Sequence, residues 1–418
     1  MRWSHRRGRV NTACLLLLCL TGLTGAASFA EDNAQEQTDW RSFFRDAEAK
    51  LSFRYRFENV DDDGFSEEAH ASTLRSRLTV TSGRVGPFSA FVEIDDLSEI
   101  GADSFNAGGG NTPSRTKYPI VADPRGTDLN QVYLNFSTGG WNVRVGRQRI
   151  NLDNQRFVGG VGWRQNEQTY DAFKLDFETE NWNAQYAYVD KVRRIFGHDV
   201  PAGTHEQDGT HLLNVSAKIN PFGQISGYYY HLDYEDVAAF STATYGLRLT
   251  NLREVWGSAK LRYVAEWARQ QDISNNPVGY TSDYWNVEGA VVVGHWDAGI
   301  GWEVLEGDDD DPGEAFRTPL ATLHAFNGWV DRFLQTPGAG LDDRYAKVKF
   351  THNGFIVQVR FHVFEAADGG TEFGEELNFH VGKKFTGRIR ADVHFAQFNG
   401  DAGYEDVTKI WFTAALTF

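Results

Sequence analysis

Cysteine is almost missing from the sequence. Cys14 and Cys19 are the only two, and both fall within residues 1–30. That segment has the layout of a secretory signal peptide. Arg2, Arg6, Arg7 and Arg9 form a basic start, Cys14 to Leu20 an apolar run, and Ser28-Phe29-Ala30 a small-residue cleavage site before Glu31. The apolar run is too short for a membrane span. No small residue precedes Cys19, so a lipoprotein cysteine is excluded. Cleaved after Ala30, the chain has no cysteine, which excludes disulfides and thiol chemistry.

Long apolar runs are missing as well. After the leader no stretch approaches about 18 apolar residues, which excludes a helical membrane protein. A basic excess is also lacking. The formal charge is −16, and the leader holds four arginines and no acid, so its loss leaves −20. Nucleic-acid binding, which needs a basic footprint, is not expected. The sequence has no HExxH-type metal motif and no serine in a nucleophile motif. Its histidines, among them His231, His362 and His394, are scattered, so neither enzyme activity nor a cofactor is expected. Asp61-Asp62-Asp63-Gly64 and Asp308 to Asp311 lack a complete Ca²⁺ ligand pattern. They read more simply as solvated acidic loops, with Asp61, Asp63, Asp309 and Asp311 the candidate ligands if a cation is held.

What remains is aromatic and glycine-rich, with 14% aromatic residues, 42 glycines and only 10 prolines. The last strand shows the pattern that organises the rest. Ile410, Phe412, Ala414, Leu416 and Phe418 alternate with Lys409, Trp411, Thr413, Ala415 and Thr417, the two-residue period of a strand between two environments. A terminal aromatic on such a strand is similar to the signal read by the barrel-assembly machinery. The same alternation starts at Leu51, Phe53, Tyr55 and Phe57 against Arg54, Arg56 and Glu58. It recurs in about eighteen stretches, each long enough to cross a bilayer when tilted. Connections alternate in length: 59–70, 98–127, 151–169 and 307–342 are among the long ones, and 138–140, 220–223, 294–295 and 353–354 among the short ones.

Long loops at one end and short turns at the other predict an all-β fold. It is a transmembrane, antiparallel, up-and-down β-barrel of about 18 strands with short periplasmic turns and long extracellular loops. Residues 1–30 are then the signal peptide, 31–47 a short periplasmic lead-in with room for one helical turn, and 48–418 the barrel. Trp141, Trp182, Tyr186, Trp256, Trp267, Trp285 and Trp296 are candidates for the interfacial aromatic girdles.

Strand phase then predicts what faces the lumen. Arg54, Arg56, Arg75, Arg77, Arg144, Lys174, Arg360, Arg388 and Arg390 point inward, with Glu93, Asp95 and Asp176 among the inward acids. Closure of the last strand on the first gathers Arg388, Arg390, Lys409, Arg54, Arg56, Arg75 and Arg77 on four adjacent strands, with Lys409 beside Arg54 and Arg56. Glu288, Asp297 and Glu303 fall across the lumen. One reading is an arginine ladder that focuses its field on a passing anion. The other is that the arginines pair with inward acids and stiffen the wall. Arg147 and Arg149 fall on the lipid phase unless Gly146 makes a bulge. The loop from 151 to 169 is glycine-rich and carries Trp163, Arg164 and Asn166, the composition of an ordered loop folding into the barrel mouth.

The stretches Gly146-Arg147-Gln148, Gln155-Arg156 to Trp163-Arg164, and Tyr170-Asp171-Ala172 resemble the alginate-export family of outer-membrane barrels. In outline the resemblance covers residues 50–418. It implies a monomeric channel passing a polyanionic polysaccharide through a basic constriction. The constriction role transfers to Arg54, Arg75, Arg77, Arg144, Arg147, Arg164, Arg360 and Arg390, with Asp171 and Asp176 as acidic partners. The expected function is therefore an outer-membrane channel for anionic poly- or oligosaccharides. A general porin with a transverse charge field and a non-conducting structural or adhesive barrel stay open as alternatives. Expected partners are an anionic saccharide, outer-membrane lipid and lipopolysaccharide, the assembly machinery and, for an exporter, periplasmic export proteins.

Overall fold

A computed structural model describes residues 39–418. The signal peptide and most of the lead-in lie outside the described residues. Residues 41–418 form one unit. Among the described residues, one α-helical turn, α1 (Ser42–Arg45), precedes the strands. They are β1 (Glu48–Asp62), β2 (Ala69–Thr81), β3 (Phe88–Ser104), β4 (Gly126–Thr138), β5 (Trp141–Gln148), β6 (Thr169–Glu178), β7 (Trp182–Arg193), β8 (Thr204–Ile219) and β9 (Gly223–Leu232). There follow β10 (Thr242–Trp256), β11 (Ala259–Asp272), β12 (Thr281–Val293), β13 (Trp296–Leu305), β14 (Leu341–His352), β15 (Phe355–Glu365), β16 (Glu372–Lys384), β17 (Ile389–Gly400) and β18 (Val407–Thr417). Among the described residues no helix is long and apolar enough to cross a membrane.

Each strand pairs antiparallel with its chain neighbours, and β1 pairs with both β2 and β18. The sheet is therefore a closed, eighteen-stranded up-and-down barrel with no free edge. Closure puts Phe412 opposite Phe57 and Ala415 opposite Arg54. It places Lys409 opposite Val60, not beside Arg54 and Arg56, whose partners on β18 are Ala415 and Thr413. The stagger between the two strands, which side-chain phase does not encode, moves Lys409 toward the extracellular rim.

The two faces separate as the alternation predicts. On β18, Val407, Trp411 and Thr413 are buried while Ile410 and Phe412 are exposed on the outer wall. Leu134, Val145, Leu247 and Ile300 continue that apolar band around the barrel. Aromatics mark its edges: Trp141, Trp182, Trp256 and Trp296 sit at the short-turn ends, and Trp267 and Trp285 nearer the long-loop ends. Strands extend beyond the expected spans on the long-loop side, so that Asp61 and Asp62 belong to β1. Outside the bilayer a hairpin can lengthen freely, because unpaired ends meet water.

Gly146 makes no bulge: β4 and β5 stay in register past it. Its φ is +126°, and a Cβ there would lie 2.4 Å from the Val132 carbonyl oxygen. Glycine is required for that close approach. The register instead slips between Glu93 and Ile94 in the β3–β4 pair and between Val189 and Lys191 on β7.

Candidate functional site

The connection from 149 to 168, between β5 and β6, leaves the rim and crosses the bore. Its first half docks on the β8–β13 wall. Asn214 on β8 donates to Asp153 at 2.6 Å. Phe157 inserts among Tyr228, Tyr230, Tyr284 and Phe316, with ring centroids 5.2 to 6.2 Å away. Arg156 is fully buried, paired with Glu303 at 3.0 Å and donating to Asn327 at 2.9 Å. A desolvated guanidinium of this kind is tolerated only with acceptors in place.

The second half reaches the opposite wall, β1 to β3. There the expected arginines do gather, but around the loop rather than an open pore. Arg54 donates to Gln165 at 2.8 Å, to the Gly162 carbonyl at 3.0 Å and to the Arg164 carbonyl. Arg56 donates to the Trp163 carbonyl at 2.7 Å and stacks its guanidinium 4.2 Å from the Trp163 ring. Arg164 itself pairs with Glu58 on β1 at 3.1 Å. Glu167 receives Arg75 at 3.4 Å, Arg77 at 3.1 Å and Arg149. Arg77 also makes a bidentate pair with Asp95, both contacts 2.6 Å, and Arg149 reaches Glu93 at 2.8 Å. Burial would raise the Glu167 carboxyl, but the three cations hold it down at about 2.

The connection from 306 to 340 folds in beside it. Asn327 donates to Glu303 and Asp343. The backbone amides of Trp329 and Val330 both donate to Glu376 on β16. The two loops join through Gly159 N–H to the Leu320 carbonyl at 2.9 Å, Thr322 N–H to the Gln155 carbonyl at 3.0 Å, and an Arg164–Asp331 pair at 3.1 Å. Above this crossing lies a vestibule of about 450 Å³. Arg164, Arg194, Arg332 and Lys409 line it against two acids, Asp62 and Asp331, with apolar walls that include Phe196, Phe240 and Ile120.

The other expected site residues lie elsewhere. Arg147 and Asp171 do not face the lumen. They share register with Val132 on the outer wall, where Asp171 accepts from Arg147 at 2.7 Å and from Arg193 at 2.9 Å. The reason is the absence of a bulge at Gly146, which leaves Arg147 on the lipid phase. Lys174 pairs with Asp176, and Arg390 makes a bidentate contact with Asp392 at 2.7 Å. Arg388 sits at the periplasmic turn before β17. Asp61, Asp63, Asp309 and Asp311 are not gathered with other ligands. Among the described residues no three His, Cys, Asp or Glu side chains converge on a metal position. Strand phase did not single out Arg156, Glu167, Asn327 or Asp331, because they come from loops.

The profile of the alginate export family matches residues 46–271, from the start of β1 through β11 and more than half of the chain. The chain belongs to the alginate export family. No curated protein matches it in sequence. Its fold is that of the solved outer-membrane Occ and Opd barrels. OccAB2 of Acinetobacter baumannii superposes with a TM-score of 0.71 at 16% identity, over 90% of this chain and 99% of that one. OccK3 (OpdO) of Pseudomonas aeruginosa gives 0.68 at 12% identity, over 90% and 97%. OpdK of the same organism, solved with vanillate, gives 0.67 at 15% identity, over 90% and 99%. This alginate export family member is an outer-membrane channel protein whose lumen is crossed by two of its own loops.

Proposed function

We propose that the protein is a passive channel for anionic saccharides of oligomer size. The observation that carries the reading is the vestibule, which has four basic side chains against two acids in a chain whose formal charge is −16. A cationic, apolar-walled concavity raises the local concentration of an anion before it meets the constriction. The loop crossing favours short, extended solutes over a polymer wider than one chain. Membership of the alginate export family supports uronate units as cargo. The reading further includes cleavage after Ala30, insertion by the assembly machinery and contact with lipopolysaccharide at the rim.

The deciding measurement is conductance of the purified protein in planar bilayers. We expect anion selectivity under a KCl gradient, and block by a triguluronate at concentrations where neutral maltotriose has no effect. Cation selectivity with equal indifference to both sugars would overturn the reading, and absence of any conductance would leave a structural barrel. Phe196, Phe240 and Ile120 in the vestibule favour a second reading, a small aromatic carboxylate, in line with the vanillate bound to OpdK. Block by vanillate but not by triguluronate would select it.

A further inference from the structure

Eight of the arginines of the lumen and vestibule divide into two sets. Arg54, Arg56, Arg75, Arg77 and Arg164 direct their N–H groups to loop carbonyls and to acids. Arg144 on β5, Arg194 between β7 and β8, and Arg360 on β15 do not. Among the described residues these three make no ion pair and donate no side-chain hydrogen bond. Each guanidinium lies against an aromatic ring instead: Arg144 is 5.4 Å from the Tyr133 centroid, Arg194 5.0 Å from Phe196, and Arg360 5.8 Å from Trp329. A ring face orients a cation without neutralising it. The Nε atoms of Arg144 and Arg360 are buried with no acceptor. A donor that has lost water and gained nothing is costly, and a visiting anion would relieve that cost.

Their places suit a path. Arg194 lines the vestibule above the crossing. Arg360 is opposite Asn378, two residues nearer the periplasm than Glu376, which holds the Trp329 and Val330 amides. Arg144 is three residues from the periplasmic end of β5, below Arg149, which grips Glu167. β5 and β15 stand eight strands apart around the shorter arc, so the two lower arginines face each other from nearly opposite walls.

We propose that Arg194, Arg360 and Arg144 are the carboxylate-binding stations of the channel, one above and two below the crossing, while the other five arginines are architecture that holds the loop. The inference rests on the anion-channel reading and assigns its binding to residues. The ligand class is the carboxylate of a sugar acid, which a guanidinium fork binds in bidentate fashion.

The test uses the full protein in planar bilayers with D-glucuronate as probe and D-glucose as neutral control. In the triple variant Arg144→Gln, Arg194→Gln, Arg360→Gln, glucuronate block should weaken by about tenfold or more per guanidinium lost, with unit conductance retained. The corresponding triple Lys variant should recover anion selectivity, because it keeps the charge. Arg54→Gln should instead change conductance and current noise by loosening the loop. If glucuronate blocks wild type and the triple Gln variant equally, the assignment falls and the channel reading stands. If Arg54→Gln alone weakens block as much at unchanged conductance, the division into two sets falls. A cation-selective wild type that ignores glucuronate overturns both. Heat-modifiable mobility on gels separates a misfolded variant, and the three single variants then supply the same comparison.

Discussion

Glu167 accepts three guanidinium groups, from Arg75, Arg77 and Arg149, with 7% of its side chain exposed. Removing that carboxylate leaves the buried Arg75 with no ion-pair partner among the described residues, at a cost of about 3 kcal/mol or more. Glu167→Gln is therefore expected to free the second half of the loop, seen as larger and noisier single-channel currents. The same carboxyl sets a pH dependence. Its value in place, about 2, lies below the about 4.3 of a free glutamate. A depressed acid supports docking fully above the free value, and that support drains as pH falls through the bound one. Wild-type noise should thus be flat from neutral pH to about 4.3 and rise only below that, whereas Glu167→Gln should be noisy throughout. Noise that already rises in wild type between pH 7 and 5 would contradict this account.

At the scale of elements, the loop from 149 to 168 is a strut across the bore, pinned at one end by arginines and at the other by Phe157. Truncating a buried phenylalanine costs about 3 kcal/mol, equivalent to about two decades in an equilibrium. Phe157→Ala should release the Tyr228–Tyr284 end while the barrel stays folded. The expected result is higher unit conductance with unchanged heat-modifiable mobility, and faster protease cleavage within 149–168. The contrast between strands and loops also explains what could be read from sequence. Strands were legible because a lipid face and a lumen face impose a period of two, visible from Leu51 to Phe57 and again from Ile410 to Phe418. The inward phase of Arg54, Arg56, Arg75 and Arg77 followed directly. Their partners on the loop did not, because Glu167 and the Gly162, Trp163 and Arg164 carbonyls lie on a segment with no period, far along the chain from the arginines they meet. The loop's ordered character showed in Trp163 and its glycines, but its path across the bore depends on tertiary contacts such as Phe157 against Tyr284. Arg147 keeps the lipid phase that its strand predicts, because the backbone at Gly146 stays in register, and the constriction role implied for it by the resemblance is what fails.

For the whole molecule, the distribution of charge matters more than its sum. Acids crowd the outer rim at Asp61, Asp63 and Asp308 to Asp311, while the vestibule holds Arg164, Arg194, Arg332 and Lys409 against Asp62 and Asp331. An approaching anion therefore meets a repulsive rim before an attractive throat. The two fields differ in how salt screens them. The rim is solvated, and its reach shrinks with the Debye length, from about 10 Å at 0.1 M to about 3 Å at 1 M. The vestibule cations are flanked by low-dielectric walls and are screened less. Raising salt should therefore weaken the rim before the throat, so the association rate of a sugar acid should fall less steeply with ionic strength than a wholly exposed basic site would give. Replacing Asp308, Asp309, Asp310 and Asp311 by Asn should accelerate glucuronate entry at 0.1 M KCl and have little effect at 1 M, with the dissociation rate unchanged at both. Blocking kinetics from the extracellular side of an oriented bilayer measure the two rates separately. An equal gain at both salt concentrations would show that the acidic loop obstructs the mouth by its bulk and not by its field.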